Sequence, residues 1–243
     1  MEIIIGGNRK VRRAYGFDEI ALVPGRLTIN PNEVDVSWSL AGKKYRMPII
    51  AAAMDGVVDV KFAIAMGRLG GLAVLNLEGV QTRYKNPEDV LEKIAKQSPE
   101  KATELVQKVY KEPIKEDLIL ERIGQIKSAG VDCVVSAIPQ RAERFGKIAQ
   151  EAGCDMFVVQ STVASLKHES SEYSILDYKK LLKKIKIPVI VGNCVTYEVA
   201  MDLMEAGAAG ILVGIGPGAA CTTRGVLGIG VPQVTATSDT ALA

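Results

Sequence analysis

The chain has 243 residues, 48% of them hydrophobic and 24% charged, which is enough mass for one domain with a full core. A formal net charge of +2, with acidic and basic residues interspersed, argues against a nucleic-acid partner and for a small-molecule one. The longest apolar runs, "MPIIAAAM" and "GILVGIG", are too short to cross a bilayer, and "MEIIIGGNRK" lacks the basic-then-apolar order of a secretory signal, so a cytoplasmic protein with no membrane partner is expected.

Residues 1–46 precede the first strong strand signal, and from residue 47 onward a βα unit recurs. "MPIIAAAMD" reads as a strand, followed by Asp59 as helix N-cap, by Phe62, Ala63, Met66 and Leu69 at helical spacing, and by Gly70-Gly71 before the strand "LAVLN". The charged, helical stretch 80–125 comes next, and the lysine-rich stretches 93–127 and 179–186 read as solvated helix faces. Then "ERIGQIKSAG" leads into "VDCVVSAIP", "RFGKIAQEAG" into "CDMFVVQST", "YKKLLKKIKIP" into "VIVGN" and "TYEVAMDLMEAG" into "AAGILVGIG". These are six near-continuously apolar strands, the pattern of a parallel sheet buried on both faces. A doubly wound sheet and a (β/α)₈ barrel both produce that pattern. Polar or small residues at strand end after strand end, Met54-Asp55, Asn76, Gln160-Ser161 and Asn193-Cys194, favour the barrel. The expectation is a single domain over 1–243, a (β/α)₈ TIM barrel truncated after strand six, with "VTATSDTALA" beginning the next helix.

The segment "GIGPGAACTTRG", 214–225, follows the sixth strand. Its glycines let backbone N–H groups approach an anion such as phosphate. The letters also satisfy G-x-G-x-x-A with Asp239 downstream, the outline of a dinucleotide fingerprint, but "CTTRGVLGIGVPQ" is too rich in glycine and contains Pro232, so that reading is rejected. Cys221 sits among backbone donors near Arg224, conditions that favour a thiolate; the plainer alternative is a small hydrophobe in a turn. Thr222 and Thr223 are placed to bond a substrate or water. Cys133 and Cys154, at strand starts, read as core, and Cys194 is left open. With no C-x-x-C pair and one histidine, neither a zinc site nor a disulfide framework is supported, and His168 reads as a surface residue. Asp55 admits two readings, a ligand for a ribose diol or a cap for the following turn. Thr196 reads as the N-cap of the helix after "VGNCV", with Asn193 available to a substrate.

These motifs together, "YGFDEIALVPG", "MPIIAAAMDGVVDV", "GRLGGLAVLNLEG", "VIVGNCVTYEVA" and above all "GIGPGAACTTRGVLGIGVPQ", closely resemble the IMP dehydrogenase and GMP reductase family, most of all its bacterial members without a CBS insert. The resemblance implies a (β/α)₈ barrel, a homotetramer and a purine-nucleotide substrate. It implies Cys221 as the nucleophile that attacks C2 of IMP, NAD⁺ as hydride acceptor, hydrolysis of the resulting thioimidate to XMP, and Thr223 as the residue that helps handle water or substrate. By the same matching Met54 and Asp55 lie by the ribose and base, Asn193 near the ribose or reacting base, and Gly216, Gly218, Ala219 and Ala220 along the substrate loop. Gln160, Ser161 and Gly214 fall at cofactor positions, and the carbonyls of Gly216, Gly218 and Cys221 at a potassium position. Two letters depart from the family: Ala219 stands where a serine touches the nucleotide phosphate, and Gln160 where an aspartate holds the nicotinamide ribose. The family's seventh-strand phosphate site and its water-activating Arg-Tyr flap would follow Ala243, so little turnover is expected of residues 1–243 alone. The resemblance also leaves room for a GMP reductase working with NADPH, and for a purine-nucleotide binder without catalysis.

Overall fold

The computed structural model describes residues 2–7, 9–171, 175–218 and 221–243. Two antiparallel hairpins come first, β1 (Glu2–Ile5) with β2 (Arg9–Arg12), and β3 (Trp38–Leu40) with β4 (Lys43–Tyr45). The βα units follow in chain order: β5 (Ile50–Ala51), α1 (Val60–Leu69), β6 (Leu72–Asn76), α2 (Pro87–Ala95), α3 (Pro99–Val109), α4 (Glu116–Ser128), β7 (Val134–Ala137), α5 (Pro139–Glu151) and β8 (Met156–Gln160). They continue through α6 (Tyr178–Lys184), β9 (Val189–Cys194), α7 (Tyr197–Glu205), β10 (Gly210–Val213), α8 (Thr222–Leu227) and α9 (Gln233–Thr240).

The six expected strands are all present, and they form one parallel sheet in the order β10-β9-β8-β7-β6-β5. Every strand lies beside its neighbour in sequence. A doubly wound sheet reverses its order at a switch point, whereas a monotonic order with a helix after each strand is how a barrel wall is laid down. The fold is therefore a six-stranded part of a TIM barrel.

Local signals place the helices as expected. The Asp59 carboxylate accepts the Phe62 N–H at 2.7 Å and caps α1, which stops at Gly70 in the left-handed conformation. Thr196 caps α7 in the same way through the Val199 N–H. Along each strand, alternate residues enter two separate apolar clusters. Leu75, Val135, Phe157 and Val191 pack outward against Met66, Ile123, Phe145 and Leu203 of the helices. Val74, Val134, Val158 and Ile190 point to the barrel interior, where Tyr45 and Trp38 join them.

The hairpins had no counterpart in the sequence expectation, because strands of three or four residues with little burial carry almost no periodic signal. The second hairpin closes the N-terminal end of the barrel. Trp38 and Tyr45 rings lie 5.3 Å apart, and the Trp38 indole donates to the Met47 carbonyl at 2.8 Å. Lys43 bridges Asp132 at 2.6 Å and Asp155 at 2.9 Å, both just ahead of strands, and the Tyr45 hydroxyl donates to Asp132 at 2.7 Å. Burial of Asp155 opposes its charge, but Lys127, Lys43 and the Cys133 N–H outweigh it and hold the carboxyl below its ordinary range. A carboxyl depressed in the folded state contributes stability above its unfolded pKa of about 3.9 and loses it as pH falls through the lower folded value. Below about pH 4, Trp38, the only tryptophan, is therefore expected to red-shift in emission as the hairpin loosens. In Asp155→Asn the shift is present already at pH 7. A wild-type emission maximum flat down to pH 2 contradicts the network's role.

Candidate active site

At the opposite, C-terminal end of the strands a chamber of about 460 Å³ opens. Every strand of the sheet sends a residue into it: Ala53 after β5, Asn76 from β6, Ser136 and Ala137 from β7, Gln160 from β8, Asn193 from β9 and Gly214 after β10. Cys221 and Thr223 complete the rim. This convergence is what a barrel offers to chemistry, since the loops following parallel strands meet at one mouth.

The glycine loop is pinned from both sides. The Gly214 N–H donates to the Cys194 carbonyl at 3.0 Å, the Asn193 side-chain amide donates to the Gly214 carbonyl at 2.9 Å, and the Val231 N–H donates to Ile215 at 3.0 Å. Gly216 has φ +59°, and a Cβ there would stand 2.7 Å from the Ile229 carbonyl oxygen, so both the conformation and the close approach demand glycine. The bond to Gly214 also orients Asn193: its nitrogen is used, and its buried Oδ1 has no partner. An acceptor left bare in a chamber wall is costly unless a ligand or water meets it.

Cys221 stands at the start of α8, partly exposed, and its N–H donates to the Gly218 carbonyl at 3.1 Å. The Thr223 hydroxyl, then the Thr223 and Arg224 N–H groups, favour the thiolate and pull its pKa below that of an ordinary cysteine. The other thiols are buried. Hydrogen bonding from Cys154 and burial push Cys133 up, and burial pushes Cys194 up. A single thiol is thus both reachable and activated.

Of the residues singled out in the sequence, Cys221, Thr223, Asn193, Gln160, Ser161, Gly214 and Gly216 meet in the chamber. Ala219 and Ala220 lie outside the described residues. Gly218 and Met54 do not line the chamber, and Met54 is 58% exposed. Asp55 is engaged elsewhere: its Oδ2 accepts the Val80 N–H at 2.7 Å and the Tyr110 hydroxyl, tying the strand-end loop to the segment 80–110. A Cβ on Gly79 would fall 1.7 Å from Asp55 Oδ1, so glycine at 79 is what lets the carboxylate reach that turn. Asp239, the would-be ribose ligand of the rejected fingerprint, pairs with Arg12.

Ser136, Thr162 and Ile138 are chamber residues that sequence reading missed. Their only signal was position at the end of a predicted strand. Ile138, Ser161 and Thr162 also line an adjoining chamber of about 580 Å³, together with Gln140, Lys167 and His168. The buried Glu78 fixes this shared wall by accepting the Ile138 N–H at 2.7 Å and pairing with Arg141. Among the described residues no cluster of three or more His, Cys, Asp or Glu is placed to hold a metal, and no helix is long and apolar enough to cross a membrane.

The family description "IMP dehydrogenase / GMP reductase domain" matches residues 14–243. An uncharacterized oxidoreductase of Mycolicibacterium smegmatis is 37% identical over 98% of this chain and 65% of its own length. An inosine-5'-monophosphate dehydrogenase of Borreliella burgdorferi is 32% identical over 96% of this chain and 61% of its own. A crystal structure of an IMP dehydrogenase/GMP reductase-like protein from Corynebacterium glutamicum superposes with a TM-score of 0.91 at 31% identity, covering 99% of this chain and 64% of that one. The chain therefore spans a little under two thirds of the relatives it matches. A barrel wall in sequential strand order, a glycine loop pinned at its C-terminal mouth, an activated thiol on that loop and a match running from residue 14 to the last residue lead to one assignment: the chain belongs to the IMP dehydrogenase / GMP reductase family.

Proposed function

We propose that the chain carries out IMP dehydrogenase-type chemistry, oxidising IMP to XMP with NAD⁺ through a covalent bond to Cys221. The observation that carries this reading is the single partly exposed thiol, lowered in pKa, on the rim of a chamber to which all six strands contribute. The Cys221 thiolate attacks C2 of the purine and forms a C–S bond. NAD⁺, when bound, accepts the hydride that leaves C2. Water then cleaves the thioimidate, releasing XMP and returning the thiol, and one proton is lost overall. Dividing the reaction in this way replaces one difficult step by two easier ones.

The residues fit these roles. The unpartnered Asn193 Oδ1 is an acceptor for a ribose hydroxyl or a purine N–H, and Thr223 holds the thiolate that leaves at the end. NAD⁺ would be held by Gln160, Ser161 and Gly214, and the adjoining 580 Å³ chamber, which shares Ser161 with the first, gives a second ligand room beside the nucleotide. The neutral Gln160 amide offers ordinary hydrogen bonds to a ribose diol in place of a charge-assisted one. Potassium would be held by the carbonyls of Gly216, Gly218 and Cys221; the Gly218 carbonyl accepts the Cys221 N–H and keeps a second lone pair for an ion. A cytoplasmic homotetramer is part of the same proposal.

With IMP and NAD⁺ in excess, NADH is expected to form to at least one equivalent per Cys221, with a matching nucleotide adduct on Cys221 by mass spectrometry. Cys221→Ala shows neither. NADH formed without Cys221 removes the covalent mechanism, and GMP-dependent loss of NADPH reassigns the chain to the reductase.

A further inference from the structure

A cleft of about 370 Å³ lies where the segment 110–114 meets the first two turns of α5, and it shares no lining residue with the Cys221 chamber. Four cations face it, Arg83, Lys111, Arg141 and Arg144, against one carboxylate, Glu112. Glu112 is itself paired with Lys115 at 2.8 Å.

Arg83 is the unusual member. It is 7% exposed, yet among the described residues no carboxylate pairs with it. Its Nε donates to the Glu78 carbonyl at 3.0 Å, Nη1 donates to the Glu112 carbonyl, and the guanidinium lies 5.4 Å from the centroid of the Tyr110 ring. The nearby Asp55 carboxylate spends its Oδ2 on the Val80 N–H and the Tyr110 hydroxyl, its buried Oδ1 has no hydrogen-bond partner, and it forms no ion pair with Arg83. Carbonyl oxygens and a ring face satisfy donors but neutralise no charge, and a buried cation without a counter-charge is unfavourable.

The other two arginines are each held along one edge, Arg141 by Glu78 and Arg144 by Glu116, and this leaves further guanidinium nitrogens for a ligand. Lys111 has no ion pair among the described residues. Guanidinium groups fixed from behind match the oxygens of a phosphate as paired donors and lose little freedom on binding. We propose that this cleft is a binding site for a phosphate-bearing anion of two or more negative charges, distinct from the site of purine chemistry.

The test is calorimetric titration of the protein at low salt with pyrophosphate, inorganic phosphate and ATP. Pyrophosphate is expected to bind saturably at one per chain. Lys111→Ala/Arg144→Ala, which alters only exposed side chains, is expected to weaken it about tenfold or more. Cys221→Ser leaves the affinity unchanged, so failure of the purine chemistry and failure of this site are separable. ATP binding as tightly as pyrophosphate identifies a nucleotide-borne phosphate, and pyrophosphate binding without ATP identifies a free oligophosphate; both support the site. No binding of any of the three to the wild type at millimolar concentration overturns it, as does an affinity unmoved in the double variant.

Discussion

Iodoacetamide at pH 7 is expected to modify Cys221 and to leave Cys133, Cys154 and Cys194 untouched, giving one adduct by intact mass. Two factors act together. Cys221 alone is partly exposed, and hydrogen bonds from Thr223 and Arg224 lower its pKa; the other three thiols are at most 3% exposed. Since the thiolate is the reactive form, the Cys221 rate should exceed that of the buried thiols by about tenfold or more. The rate rises with pH and levels off once the thiolate predominates, at a pH below the plateau of an ordinary cysteine of pKa about 8.5. Thr223→Val removes the largest contribution favouring the thiolate, so its plateau moves to higher pH, whereas Thr223→Ser retains the hydroxyl and stays near the wild type. Equal labelling of several cysteines, or a Thr223→Val profile that coincides with the wild type, would remove the activated thiol on which the proposed chemistry rests. Prior labelling should also abolish the IMP-dependent formation of NADH.

Phe157→Ala is expected to cost about 3–5 kcal/mol of stability, the usual range for deleting a fully buried aromatic ring. Phe157 is 0% exposed on the outward face of β8, close against Gly146 of α5: a Cβ at 146 would stand 3.2 Å from its ring and 3.1 Å from Ile185. The close approach of the α5 backbone at Gly146 to the Phe157 ring and the Ile185 side chain leaves little freedom to collapse into the void. Phe157→Leu keeps most of the volume and should lose about 1 kcal/mol. Urea titration followed by far-UV circular dichroism checks both, and a midpoint for Phe157→Ala within error of wild type would show that α5 repacks freely. The neighbouring residue of the same strand, Val158, faces the barrel interior, so the two faces of β8 can be weighed independently.

The site and the scaffold meet at buried polar contacts. Glu78 holds Ile138, which both chambers share, and Asp55 anchors the loop after β5 to the segment that begins at Val80. Through Arg83, whose Nε donates to Glu78, that segment also reaches the cationic cleft. The helical stretch 80–115 is thereby tied to the chamber wall at two points.

Much of this was legible in the order of residues alone. Six strands and the helices between them were written as apolar runs and helical spacings, and Asp59 and Thr196 cap helices where a short polar side chain precedes such spacing. These features depend on neighbours within a few positions, which is the range over which periodicity and capping act. The glycine loop was readable for the same reason, because closely spaced glycines and a cysteine state their constraints locally. What only the tertiary structure decided involves partners far apart in the chain. Asp55 is engaged by Val80 and Tyr110, Glu78 reaches Ile138, and Lys43 reaches Asp132 and Asp155. Ser136 and Thr162 join Cys221 only because the strands align side by side in sequential order. A side chain's sequence neighbours set its face and its local cap, but its distant partners are set by strand order and register, which depend on the packing of the whole sheet.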